Sequence, residues 1–181
     1  PAEGEVHLPG YRPTGEGDPN LVSRAAHLIN QAQRPMILAG HGVLMSGAMN
    51  ALRAFVEKTQ TPVGLTLLGK GGFPESHPLA LGMMGMHGEA FVNKAIQEAD
   101  VILAFGMRFD DRVTGELASY APNARRVHVD ADAAELNKVV QVDVPILGDL
   151  RQVLEQLLPQ VEKTTHPEWI NAINEWRSES H

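Results

Sequence analysis

The sequence contains no cysteine, which excludes a disulfide framework, a thiolate metal site and a cysteine nucleophile at once. It has no apolar run approaching the roughly 18 to 20 residues that span a bilayer. Residues 1–19 are polar and rich in proline and glycine rather than signal-like. A soluble chain is expected, with cytoplasm as the default compartment. Positive charge is also scarce: 15 lysines and arginines against 22 acidic residues give a formal net charge of −7. No basic run exists that would neutralise a row of phosphates, so neither nucleic acid nor a membrane is an expected partner. No GxGxxG, Walker, HExxH or serine-elbow motif occurs. No catalytic residue and no metal ligand is therefore assigned.

What is present suits one ordinary α/β core, with 181 residues of which 43% are hydrophobic. The chain starts at Pro1 rather than methionine and reads as a domain taken from something larger. Residues 1–17 are read as interdomain linker, 18–160 as the α/β domain, and 161–181 as a C-terminal helix or linker leading to a further domain. Asp18-Pro19 offers an N-cap followed by proline at the first helical position, and Leu21, Ala25, Leu28 and Ile29 continue at helical spacing to about Gln33. Met36 to Ala39 is a short, wholly apolar run, the pattern of a strand buried on both faces. The alternation repeats with helices near 47–59 and 89–99 and strands at 62–67, 100–106, 126–130 and 144–148. A loop and short helix are expected over 110–120, a short helix at 133–136 and a helix at 150–158. Met83, Met84 and Met86 are placed in a loop. The pattern predicts a three-layer, doubly wound parallel sheet of about six strands. Trp169, Ile170, Ile173 and Trp176 recur at helical spacing near the end and mark a docking face.

In such a sheet, ligands bind beyond the carboxyl ends of the strands. The loops there hold Gly40-His41-Gly42, Thr66-Leu67 through Gly72, Gly85-Met86-His87-Gly88, the string Gly106 to Gly115, Asp130-Ala131-Asp132 and Gly148-Asp149-Leu150. Glycine lets backbone approach a phosphate, arginine offers a fork of donors to a pyrophosphate, and Asp130 stands where an acid commonly accepts from a ribose. The set suits a dinucleotide. Each loop taken alone is equally an ordinary turn, and Arg108 to Arg112 equally a solvated ion-pair cluster.

Gly82-Met83-Met84-Gly85-Met86-His87-Gly88 and, more specifically, Gly106-Met107-Arg108-Phe109-Asp110-Asp111-Arg112-Val113-Thr114-Gly115 resemble the acetolactate synthase (acetohydroxyacid synthase) large subunit. The similarity extends from Leu8-Pro9-Gly10-Tyr11 to Asn137-Lys138 and Gly148-Asp149, nearly the whole chain. The resemblance implies a Rossmann-like central domain that carries FAD in a structural, non-redox role. Thiamine diphosphate and Mg2+ would be held by other domains, since the sequence lacks a Gly-Asp-Gly followed by asparagine. The parent reaction implied is condensation of pyruvate with pyruvate or 2-oxobutyrate in branched-chain amino-acid synthesis, and the fragment alone is expected to be inactive. The implied partners are the other domains of the parent and further copies in a homo-oligomer; whether a regulatory small subunit joins them is left open.

Carried over by position, Gly40, His41 and Gly42 approach the phosphate and ribityl region, and Thr66 and Leu67 the flavin. Met86 and His87 line the same channel. Gly106, Arg108, Asp110, Arg112 and Val113 match the FAD-contacting stretch, while Asp130, Ala131, Asp149 and Leu150 hold the adenosine end. Met86, Asp111 and Arg112 also face the substrate tunnel where sulfonylurea herbicides lodge. The chain departs from the family pattern at His41, where many relatives have a small residue and a larger one crowds the phosphates, and at Asp132-Ala133-Ala134-Glu135. Two other readings compete: a scaffold or interaction domain with a lapsed nucleotide site, and a related central domain that binds ADP or NAD.

Overall fold

A computed structural model of the chain describes residues 15–85, 88–107, 121–136 and 142–180. Helix α1 (Pro19–Gln31) starts where Asp18 accepts from the Asn20 amide at 2.8 Å and Pro19 supplies the first helical residue. Strand β1 (Pro35–Ala39) follows, buried along its whole length. A single turn, α2 (Gly42–Met45), leads to α3 (Met49–Thr59), which ends at Gln60 in the left-handed conformation, φ 51°. Then come β2 (Val63–Leu65), β3 (Ala80–Met83), α4 (Ala90–Glu98), β4 (Val101–Phe105), β5 (Arg125–Asp130) and β6 (Val144–Leu147). Helices α5 (Leu150–Leu157) and α6 (Pro167–Glu179) close the chain.

The six strands form one parallel sheet in the order β3-β2-β1-β4-β5-β6. Alternation along each strand divides the core in two. Ile37, Ala39, Leu103, Phe105, Val127 and Val129 meet α1, α3 and α5, whereas Met36, Leu38, Ile102 and Ala104 meet α4 and α6. Phe55 and Phe105 pack edge to face across the first core at 5.7 Å. The second is closed by Trp169 and Ile173 of α6, and the Trp169 indole donates to the Pro35 carbonyl at 2.9 Å. The tryptophan pair is thus a docking face, turned onto the chain's own sheet.

Two local expectations are corrected. The methionine-rich segment is not all loop: Ala80–Met83 is edge strand β3, and Met83 is its last residue. Four residues interrupted by Gly82 at φ 106° carry too little β pattern to be read as a strand. The short helix expected at 133–136 is a turn, in which Asp130 and Asp132 accept from the amides of Asp132 and Ala134, both at 2.9 Å. Side-chain acceptance from nearby amides is how aspartate competes with helix. The loop and short helix expected over 110–120 lie outside the described residues.

Candidate functional site

The chain runs outward from β1 to β2 and β3, then crosses back to β4 beside β1. This reversal between β1 and β4 is where open α/β sheets leave a crevice for a dinucleotide. A cavity of about 730 Å³ opens there, bounded by the loops after β1, β2, β4, β5 and β6. That lies within the roughly 300–1,000 Å³ of ordinary ligand pockets.

Three glycines form its hinge. Gly42 N–H donates to Gly106 O at 2.9 Å and Gly40 N–H to Phe105 O at 3.0 Å, so the β1 and β4 loops touch through backbone. A Cβ on Gly40 would stand 2.5 Å from Gly106 O, and one on Gly42 2.5 Å from Gly106 Cα. Gly106 itself has φ 62°. The close approach these glycines permit is first of all to each other. The amides of Gly42, Val43 and Leu44 are all engaged within the two loops, so the start of α2 is occupied by its own fold.

The far wall is acidic. Asp149 caps α5 by accepting from the Gln152 amide at 3.1 Å, and Asp130, at the end of β5, accepts from the Asp132 amide at 2.9 Å. Each bond engages one carboxylate oxygen, Oδ2 of Asp149 and Oδ1 of Asp130. The ionisable groups among the described lining residues are His41, Asp130, Asp132 and Asp149, with no lysine or arginine. Such a wall receives sugar hydroxyls better than it neutralises phosphates. The opposite rim is apolar, with Met45, Leu67 and Leu68 exposed by 76%, 70% and 69%. Exposed side chains of that size together suit a flat apolar ligand or a covering surface. Thr66 shapes this rim by accepting from the Gly69 amide at 3.1 Å. The exposed His41 directs Nδ1 to the Leu68 carbonyl at 3.2 Å, across to the β2 loop.

Gly40, His41, Gly42, Thr66, Leu67, Gly106, Asp130, Ala131, Asp149 and Leu150, drawn from separate loops, line this one cavity. Met86, His87, Arg108, Asp110, Asp111, Arg112 and Val113 lie outside the described residues. Sequence reasoning missed Met45, Ser46 and Val129 as lining residues, and placed Leu68, Met107 and Asp132 in the ligand-facing loops without giving them a role. Leu68 and Met107 adjoin assigned positions and were within reach; Met45 and Ser46 enter only because α2 is a single turn that brings them back to the mouth. Among the described residues, no cluster of three or more histidine, aspartate or glutamate side chains suits a metal ion. Among the described residues, no helix is long and apolar enough to cross a membrane.

Residues 22–157 match the family described as thiamine pyrophosphate enzyme, central domain. The chain is 51% identical over 158 residues to a probable acetolactate synthase large subunit of Methanocaldococcus jannaschii, covering 87% of this chain and 27% of the relative. It is 45% identical over 172 residues to the acetolactate synthase large subunit of Corynebacterium glutamicum, covering 95% and 27%. With the isozyme 3 large subunit of Escherichia coli K12, identity is 40% over 171 residues, covering 94% and 30%. The chain thus spans under a third of the length of these relatives.

Proposed function

The chain belongs to the family of thiamine pyrophosphate enzyme central domains, and from that membership we propose that it is the FAD-binding domain of an acetolactate synthase. The observation that carries the proposal is the convergence of residues from five loops on a cavity at the sheet's reversal point. The residues present fit the cofactor. Asp130 and Asp149 would accept from the hydroxyls and the exocyclic amino group of adenosine, with Ala131 and Leu150 beside them. Gly40, Gly42 and Gly106 carry no side chain into the cavity, where the phosphates and ribityl chain would run. Thr66, Leu67 and the apolar rim suit the flavin ring. Arg108 and Arg112, with Asp110 and Val113, are proposed to supply the cationic donors that the described wall lacks, and Met86 and His87 to complete the channel. Met86, Asp111 and Arg112 are proposed to face the route to the reacting centre.

FAD bound here would contribute binding energy and order to the loops, a structural role. The whole enzyme is proposed to condense pyruvate with pyruvate or 2-oxobutyrate in branched-chain amino-acid synthesis, in the cytoplasm. Thiamine diphosphate and Mg2+ would sit on other domains and on further copies in a homo-oligomer. This chain by itself would then form no acetolactate.

Titration with FAD, followed by flavin fluorescence and melting temperature together, tests the reading. Saturable binding that weakens in Arg108→Ala and Arg112→Ala is expected. The absence of uptake by the wild-type chain would favour a scaffold domain or a site completed by other domains. An ADP-binding domain is the second reading, because Asp130 and Asp149 line the cavity where the adenosine common to ADP and FAD would sit. ADP that binds as tightly as FAD would favour that second reading.

A further inference from the structure

We propose that His128 is a positioning residue that ties the β4 loop to the end of β5 and so fixes the acidic wall of the cavity. It lies in the middle of β5 with its side chain fully buried, in register with Ala104 of β4 and Pro145 of β6. Its strand neighbours Val127 and Val129 belong to the first core, so alternation points His128 to the opposite face. An imidazole at such a position must find polar partners, since burying it without them costs stability. One is the Met107 carbonyl, 2.9 Å from Nε2. A carbonyl only accepts, so Nε2 carries the hydrogen.

This bond holds a point that the sheet does not. The β4 ladder continues through Gly106 N–H to Val129 O at 3.0 Å, and Met107 stands one residue beyond. The same Nε2 lies 3.7 Å from Oδ2 of Asp130, whose Oδ1 is held by the Asp132 amide. Met107 and Asp130 both line the cavity, whereas His128 does not. Among the described residues, the imidazole therefore acts on a ligand through these two neighbours. The inference rests on the nucleotide-binding reading of this cavity and adds to it the device that orients the carboxylate.

The test compares wild type with His128→Leu, His128→Gln and His128→Asn, measuring FAD and ADP affinity with circular dichroism and melting temperature as controls for folding. The amide of glutamine reaches the place of Nε2, whereas that of asparagine stops near Nδ1. Losing one hydrogen bond that orients a ligand group weakens binding on the order of tenfold. The Leu and Asn chains are expected to lose about that much for both ligands, and the Gln chain to stay within about threefold of wild type. Unchanged affinity in all three chains overturns the proposal, as does a loss in Gln equal to that in Asn. If the Leu chain does not fold, the Gln and Asn pair decides. Failure of the wild-type chain to bind either nucleotide overturns the ligand reading and this inference with it, a result distinct from binding that ignores position 128.

Discussion

Gly106 combines two demands that separate at Gly47. It has φ 62°, and a Cβ there would stand 2.6 Å from Gly42 Cα. Gly47 has nearly the same backbone, φ 64°, with nothing within 4 Å of the added atom. Gly47→Ala should therefore cost only the left-handed conformation, about 1 kcal/mol. Gly106→Ala adds backbone overlap and should cost about 2 to 4 kcal/mol. Thermal unfolding of the two variants checks the difference, and equal losses would mean that the loop contact relaxes freely. Asp149 presents a similar pairing of roles, since its side chain caps α5 and lines the cavity. Asp149→Asn keeps a capping oxygen but loses the charge, so stability should hold within about 0.5 kcal/mol while nucleotide affinity falls. Asp149→Ala should lose both, with about 1 kcal/mol from the cap. At this scale the glycines were legible as glycines, but the reason for them was not: a string of residues does not say that loops after positions 39 and 105 will touch.

Helix α6 shows what an element adds. Its spacing of Trp169, Ile173 and Trp176 reads as an apolar stripe, yet the surface it covers is far away in sequence, at β1 and α4. Arg177 donates to the carbonyl of Ala80 on edge strand β3 at 2.9 Å and lies over the Phe91 ring, while Lys94 lies over Trp176. Trp169→Ala should cost about 3 to 5 kcal/mol, read from denaturant midpoints at constant slope, because it opens a cavity in the second core and frees the Pro35 carbonyl. A chain stopped after Gln160 should expose that core and bind a hydrophobic dye. The start of α6 carries a pH dependence. Burial pushes the His166 pKa below its ordinary value, opposed by the charge of Asp100 and a hydrogen bond to the Thr59 backbone. The folded state thus favours the neutral ring, so its contribution is present above the unfolded pKa of about 6.5 and lost as pH falls through the lower folded value. Melting temperature should drop as pH falls below about 6.5, and His166→Gln should flatten that part of the profile.

For the whole molecule, the chain itself determined the class of architecture. Apolar runs of strand length between amphipathic helices leave few packings other than a sheet covered on both sides. Asp18-Pro19 and the Asp149 cap mark helix starts because capping is a contact within a few residues. The loops that bear the lining residues were legible for the same reason: each follows its strand directly, and strand ends are visible locally. What the sequence could not carry is every relation that closes through space. The register shift between β2 and β3 and the edge position of β3 decide that Ala80–Met83 is a strand at all, and no residue in that segment announces it. The strand order, with β4 returning beside β1, converts five separate turns into one cavity. The placing of His128 under Met107 and Asp130 follows from the pairing of β4 with β5. Local chemistry is written in neighbours along the chain, and the sequence determined that much; a pocket is made of neighbours across it, and only packing chooses those.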